Sequence, residues 1–528
     1  GWQRRAEEYA QKLSDRRKQV ATLIQRKLKE QITGIIEYNR LKNPVTYRTI
    51  LHQVSKKRRI WSVRKLVQET WQEGLNQLMP VWMASPESVA AVFPMQRDFF
   101  DVVIFDEASQ CFVERAIPVI LRGKQCVIAG DDKQLRPLDL YRVKQEEAEA
   151  ELVENEMAIE VESILDLAKT TFEESPLTWH YRSREAELIH FSNHAFYGGK
   201  LQVIPPATHD SPNQPPLEWI AVEGQWRNNI NRPEAERVIT LLLELVQRPD
   251  QPSIGIVTFN FHQQELIKDL LDARLESLAE EDEARYLQLQ AAMHRTENEE
   301  FQGLFVKNIE NVQGDERDII VFSVGYGHNE NGLLSTNFGL LNQDGGENRL
   351  NVAISRARRK VYVVCSFLPG ELKVEGAKNA GPRFFKHYLQ YVKSVSDGRH
   401  VDAVNLLDPQ SEQDLTRQVL NPIADFLADR LAAAGYTVLR NVGDTAYKLD
   451  LAVKASPDSD RFLLGIECEG SHYFSGASSK EREVYRRALL LNRGWQLHRV
   501  WARNFWKDRE KEVETVLGRL GKGGKINL

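Results

Sequence analysis

Four short stretches, at 102–105, 126–129, 254–258 and 319–323, are almost unbroken runs of apolar residues. Runs of that length predict parallel strands buried on both faces. The first is followed at once by Asp106 and Glu107, the second by Gly130-Asp131-Asp132 and then Gln134. Between the third and fourth lies a long polar stretch, about 263–300, with helical spacing. Leu350, Ala353, Ile354 and Ala357 fall on one helical face, which predicts a helix from which Arg356 is free to point outward. Residues 1–80 are helical in pattern. From about 370 to 415 the pattern loosens into an expected connector. After it, 420–434 reads as an amphipathic helix, and 436–438, 447–453 and 462–470 read as strands.

Composition changes this picture in three places. A chain of 528 residues is too long for one core. Apolar residues make up 42% and charged residues 27%, the balance of a soluble globular protein, and no apolar run approaches a membrane span. The net charge of −5 hides a segregation: residues 1–80 hold 18 Lys and Arg against 7 Asp and Glu, in clusters such as Arg16-Arg17-Lys18, while 145–162 holds eight Glu and no Lys or Arg. The basic stretch fits a helical stalk touching phosphates, or equally a solvated hairpin; the acidic one fits a solvated helix or loop. Cys111, Cys126, Cys365 and Cys468 are scattered through apolar surroundings without metal-site spacing, as expected of reduced thiols in the cytoplasm.

The strand ends carry the candidate chemistry. Open α/β sheets place their ligands at the carboxyl ends of strands. Two strands delivering acids and an amide to one edge suit a nucleotide phosphate. Asp106 would hold Mg²⁺, Glu107 would orient the attacking water, and Gln134 would sense the γ-phosphate.

The blocks DEASQ (106–110) and GDDKQLRP (130–137) resemble motifs II and III of superfamily 1 helicases, in the branch of the nonsense-mediated-decay helicase and its DNA-unwinding relatives. The resemblance covers about 79–367 and recurs in family order. Met79 to Pro86 is similar to the block before motif II, where Ser85 would meet a phosphate. Leu177 to Ser183 is similar to the block that opens the second RecA-like lobe, which implies that Arg182 reaches the γ-phosphate. Residues 306–316 resemble motif V, with Glu316 at the ribose and Gln313-Gly314 near the nucleic-acid backbone. Residues 348–358 resemble motif VI, with Arg356 as an arginine finger and Arg358 and Arg359 capping the helix. His180, His190 and His194 read as packing or capping residues. No G-x-x-x-x-G-K-[ST] loop occurs in the chain, which is therefore expected to be the C-terminal part of a larger protein.

Helix, strand, strand ending in an acid, then a strand with E-x-E is the order of a PD-(D/E)XK nuclease. Asp450, Glu467 and Glu469 would form its Mg²⁺ cluster. An acid amid apolar strand residues is costly unless it binds something. The segment 481–506 resembles very-short-patch-repair-like endonuclease domains, with Glu469 where that motif usually has Lys. Asp425 is the nearest acid on the first helix, and Lys480, Arg482 and Arg486 are candidate phosphate contacts.

The reading is an α/β chain of two RecA-like lobes, the first incomplete, with a helical stalk and a C-terminal restriction-endonuclease-like domain. Its divisions are a stalk at 1–78, the first lobe at 79–175, the second at 176–368, a connector at 369–415 and the nuclease-like domain at 416–528. ATP and Mg²⁺ are the expected cofactors. Single-stranded or partly duplex nucleic acid, with DNA favoured, is the expected partner, and no membrane is expected. The resemblance implies 5′→3′ movement. A non-hydrolysing nucleic-acid scaffold, or a metal nuclease using inactive lobes for capture, stands as the alternative.

Overall fold

The computed structural model describes residues 2–523 apart from 35, 38–39, 42–44, 138–162, 209–214, 408–420, 444–447, 458, 460, 471–472 and 474–477. The acidic stretch 145–162 and the start of the strand expected at 447 lie outside the described residues. The chain folds as two units, Gly1–Ser175 and Pro176–Leu528.

The first unit opens with the largely exposed, basic helix Trp2–Gly34. Helices Arg48–Ser55 and Val63–Thr70 follow and share a small core with Tyr47, Leu75 and Phe93. Gly74 has φ of +110°, and a Cβ there would lie 2.3 Å from the Tyr47 ring, so only glycine fits both backbone and space. Trp71, stacked 4.4 Å from Phe99, joins this core to the strand β1 (Phe100–Phe105). β1 pairs in parallel with β2 (Gly123–Ile128). Helices Val113–Ile120 and Ile164–Lys169 cover one face of this pair through Val103, Phe105, Val119 and Leu165. The other face is open: Val102, Ile104 and Val127 are 46%, 68% and 50% exposed. Burial on both faces, expected for these runs, is not found here: among the described residues helices cover one side of the pair alone.

In the second unit β3 (Trp179–His180) pairs with β4 (Gln202–Val203). A five-stranded, all-parallel sheet is then built from β5 (Leu217–Ala221), β6 (Ile254–Thr258), β9 (Phe305–Asn308), β10 (Arg317–Ser323) and β11 (Ala357–Cys365), in the order β5-β11-β10-β6-β9. Its unbroken apolar strands are buried as their pattern predicts. The polar stretch before β9 forms helices Phe261–Glu281 and Glu283–Met293 and a small hairpin, β7 (Thr296–Glu297) with β8 (Glu300–Phe301). The expected connector differs: 369–407 contains helices Gly381–Ser396 and His400–Leu407, and Phe385 and Tyr388 pack on Phe259 and Phe191 of the lobe.

The C-terminal sheet runs β12 (Thr437–Val442), β13 (Leu449–Lys454), β14 (Phe462–Cys468), β15 (Leu497–Val500). The first two pairings are antiparallel and the last is parallel. Helices Pro422–Ala433 and Arg509–Gly523 cover one face. Among the described residues no helix is long and apolar enough to cross a membrane.

One buried acid ties the carboxyl edge of the five-stranded sheet together. Glu234, three residues into helix Arg232–Val246, accepts from the Gly325 N–H (2.6 Å), the Ser323 hydroxyl (2.9 Å) and the Ser366 hydroxyl (3.1 Å), just past the ends of β10 and β11. Burial pushes its carboxyl up to about 8. A carboxyl that stays protonated in the fold and ionises when unfolded contributes stability below about pH 4.5, and that stability is lost as pH rises through about 8. In denaturation curves at pH 5 and pH 9, Glu234→Gln should therefore gain on the parent protein at the higher pH. A stability difference independent of pH would contradict it.

Candidate functional site

In the first unit β1 and β2 end side by side. The Ala129 N–H donates to the Phe105 carbonyl at 2.8 Å and the Ala108 N–H to the Ala129 carbonyl at 2.9 Å, so the two acid-bearing loops leave the sheet together. Gly130 allows this: a Cβ there would sit 3.0 Å from the backbone nitrogens of both Ala108 and Ser109. Glu107 takes a left-handed backbone (φ 52°), a strained setting for a non-glycine residue. Asp106 Oδ1 accepts from the Glu107 N–H at 3.0 Å, and Gln134 Nε2 donates to Asp131 Oδ2 at 3.0 Å. Asp106 and Glu107 are exposed; Asp132 is ion-paired with Lys133 and Lys169. Ser85 caps helix Pro86–Val92 by accepting from the Ser88 N–H.

In the second unit the candidate residues gather at the amino edge of the sheet, where β10 and β11 begin. Arg182 Nε donates to Glu316 Oε2 at 2.6 Å, and its Nη1 donates to the Ser355 carbonyl at 3.3 Å. Arg356 is 2% exposed, so it does not point outward as expected. Helix Gly346–Ile354 stops before Ala357, which begins β11. Arg356 instead folds back on the helix end, Nε donating to the Val352 carbonyl at 2.6 Å and Nη2 to the Ser355 hydroxyl. The last carbonyls of a helix lack partners within it, and a guanidinium supplies one. Arg358 and Arg359 do not cap the helix either: they lie on β11, bonded to Gln302 and Asp250. Beneath them burial, reinforced by the charges of Arg182, Arg493 and Arg356, holds the His180 imidazole down near 3. The ring is therefore neutral and its Nε2 accepts from the Ser183 N–H at 3.0 Å. Gln313 is half-buried, and Gly314 has φ of +83° with open space beside it.

The C-terminal acids are each matched to a partner. Asp450 accepts from Asn421 Nδ2 at 3.0 Å and the Cys468 N–H at 2.8 Å, and Glu469 accepts from the Ala502 N–H at 3.0 Å. Glu467 is buried between Arg486 (3.0 Å) and Arg499 (2.9 Å), and Arg499 also pairs with Glu483 at 2.6 Å. Among the described residues no three His, Cys, Asp or Glu side chains form a group that could hold a metal ion. The expected Mg²⁺ cluster of Asp450, Glu467 and Glu469 is thus not assembled, and two guanidinium groups at Glu467 make that spot a poor fit for a divalent cation. Arg486, expected on a phosphate, is 2% exposed. Lys480 is exposed and Arg482 half-buried, while Asp425 pairs with Arg440 at 2.6 Å.

Family models place these pieces. Two models, each described as an AAA domain, match residues 3–140 and 161–367, and the model REase_MTES_1575 matches 424–520. The chain carries AAA-type helicase domains and a restriction-endonuclease-like domain. An uncharacterized ATP-dependent helicase of Mycoplasma pneumoniae, a homologue of MG140, is 33% identical over 444 residues, covering 82% of this chain and 38% of that protein. A Drosophila melanogaster regulator of nonsense transcripts 1 homolog is 27% identical, covering 51% of this chain and 21% of its own length. A Gallus gallus protein described as DNA replication ATP-dependent helicase/nuclease DNA2 is 28% identical, covering 50% and 23%. The chain spans 38% of the length of the Mycoplasma relative.

Several residues around the helicase and endonuclease-like domains were not singled out from sequence. Glu234, Asn231 and Gln263 knit the carboxyl edge, with Gln263 Nε2 donating to the Asn231 carbonyl and the Ser323 hydroxyl. Asn421 was readable as the cap before Pro422, although its bond to Asp450 was not. The ion-pair network makes a direct prediction. Glu467→Gln should lower the stability of the endonuclease-like domain by about 3–5 kcal/mol, because it takes the shared carboxylate from two buried guanidinium groups, of which Arg499 keeps Glu483. Urea titration followed by tryptophan fluorescence measures this. An unchanged or raised midpoint would mean that Glu467 is strained by neighbouring acids and suited to a cation after all.

Proposed function

We propose that the chain is the catalytic and nucleic-acid-handling part of an ATP-dependent helicase or translocase that works in the cytoplasm on a single strand. The observation that carries this reading is the bonded pair of loops at the carboxyl edge of β1 and β2, which sets Asp106, Glu107, Asp131 and Gln134 on one exposed edge. Hard carboxylate oxygens on an exposed strand end suit Mg²⁺–nucleotide, with Asp106 as its holder; the ion, when bound, neutralises charge on the β- and γ-phosphates. Glu107 takes the proton of the attacking water. Its backbone is left-handed, and its own N–H orients the Asp106 carboxylate. Gln134 reads the γ-phosphate. In the second unit Arg182, 21% exposed at its side chain, is assigned a phosphate and Glu316 the ribose hydroxyls, and Arg356 holds the Ser355 turn beneath Arg182.

DNA is the favoured strand because a restriction-endonuclease-like domain accompanies the helicase domains, while the relatives' names span nonsense transcripts and DNA replication. Ser85, Gln313 and Gly314 are assigned to contacts with the strand. For the endonuclease-like domain the proposal assigns strand binding through Lys480 and Arg482, since Glu467 is matched to two guanidinium groups rather than left for a cation.

The test is ATP turnover by the full-length protein with single-stranded DNA and RNA side by side. Glu107→Gln should lower turnover by about 10²–10⁴-fold, the usual worth of a general base, while ATP binding is kept. Turnover that survives the substitution would remove Glu107 from this role.

A further inference from the structure

The segment that carries Arg182 is held from two sides. On one side is its own helicase domain: the Arg184 N–H donates to the Arg358 carbonyl at 2.7 Å, and the Ser355 carbonyl receives Arg182 itself. On the other side is the endonuclease-like domain. Arg493, at the end of helix Arg486–Asn492, sends Nη2 to the carbonyl of Tyr181 at 2.5 Å and to that of Ser183 at 3.0 Å. Those are the residues immediately before and after Arg182.

The junction behind this contact is built like a core. The Trp495 indole N–H donates to the Pro205 carbonyl at 2.7 Å, and the Phe462 N–H donates to the Ala207 carbonyl at 2.9 Å. Ile204 and Ala207 of the helicase segment are buried together with Phe462, Leu490 and Trp495. A packed interior of this kind transmits position rather than yielding to it. Donation to the Tyr181 and Ser183 carbonyls fixes the peptide plane before Arg182 and the plane after Ser183, the Ser183 N–H bond to His180 Nε2 fixes the plane between them, and together these set the direction in which the Arg182 side chain leaves the backbone.

We propose that Arg493 is a positioning residue for Arg182, so that the endonuclease-like domain sets the aim of the arginine that ATP hydrolysis uses. The proposal rests on the ATP role assigned to Arg182 above. Loss of the bridge leaves ATP able to bind but releases the Tyr181–Ser183 backbone, which slows the chemical step more than it weakens binding.

The experiment measures kcat and KM for nucleic-acid-stimulated ATP hydrolysis by the full-length protein. The variants are Arg493→Met, which keeps the aliphatic stem without donors, Arg493→Lys, which restores a donor, Arg182→Ala, and the double variant Arg182→Ala with Arg493→Met. Arg493→Met should lower kcat about ten- to a hundredfold, as expected when a reacting group is misplaced by about 1 Å, with KM for ATP nearly unchanged. Arg493→Lys should recover most of the loss, and the double variant should be no slower than Arg182→Ala alone. If Arg182→Ala is slow while Arg493→Met turns over normally, the positioning role is overturned. It is overturned equally if Met and Lys variants are impaired alike, because that marks a role in packing only. If Arg182→Ala itself turns over normally, the ATP role of Arg182 fails first and this proposal falls with it. Should Arg493→Met not fold, Arg493→Gln compared with Arg493→Lys decides between the same outcomes.

Discussion

A charged side chain drawn out of water must find its counterparts inside the fold, and this requirement decides which candidate residues remain able to act on a ligand. Arg356 meets it by turning back on the end of its own helix, and Glu467 by sitting between Arg486 and Arg499. Glu234 avoids it by staying protonated, among one amide and two hydroxyls. Once satisfied in this way, those groups hold structure. Arg182 and Glu316 are different, because their side chains keep 21% and 34% of their surface while paired with each other. Partial exposure with a partner that can be exchanged is what a ligand-responsive pair needs, and it sets them apart from the sealed arginines nearby.

Parallel strands give a sheet two chemically unlike edges. In the first unit the candidate acids stand at the carboxyl edge, as in other open α/β sheets. In the second unit Arg182, Glu316 and Arg356 lie at the amino edge of β10 and β11, and the carboxyl edge is closed by the Glu234 network. The endonuclease-like domain adds one more constraint, since its Trp495 and Arg493 bond to backbone carbonyls of the segment bearing Arg182.

What could be read from sequence was local. Unbroken apolar runs located the strands, and Asp106-Glu107 and Asp131 to Gln134 sit directly after two of them. The pairing of Arg182 with Glu316 spans 134 residues, and no local signal encodes it. The aim of Arg356 depended on where the helix stopped. Ala357 suits a helix face and a strand equally, and Ser355 offered neither glycine nor proline as a stop signal. The supposed connector carried a readable sign, Phe385, Tyr388, Leu389 and Val392 at helical spacing, which its polar flanks obscured. The strand with E-x-E was legible as a strand. Its arginine partners come from a later helix and strand, so an acid that resembled a metal ligand proved to be matched within the protein.

The most direct measurement is a structure of the full-length protein with a non-hydrolysable ATP analogue, Mg²⁺ and a short single strand. The account predicts that Arg182 leaves Glu316 and donates to a phosphate of the bound nucleotide. A nucleotide bound elsewhere, with the Arg182–Glu316 pair intact, would contradict it.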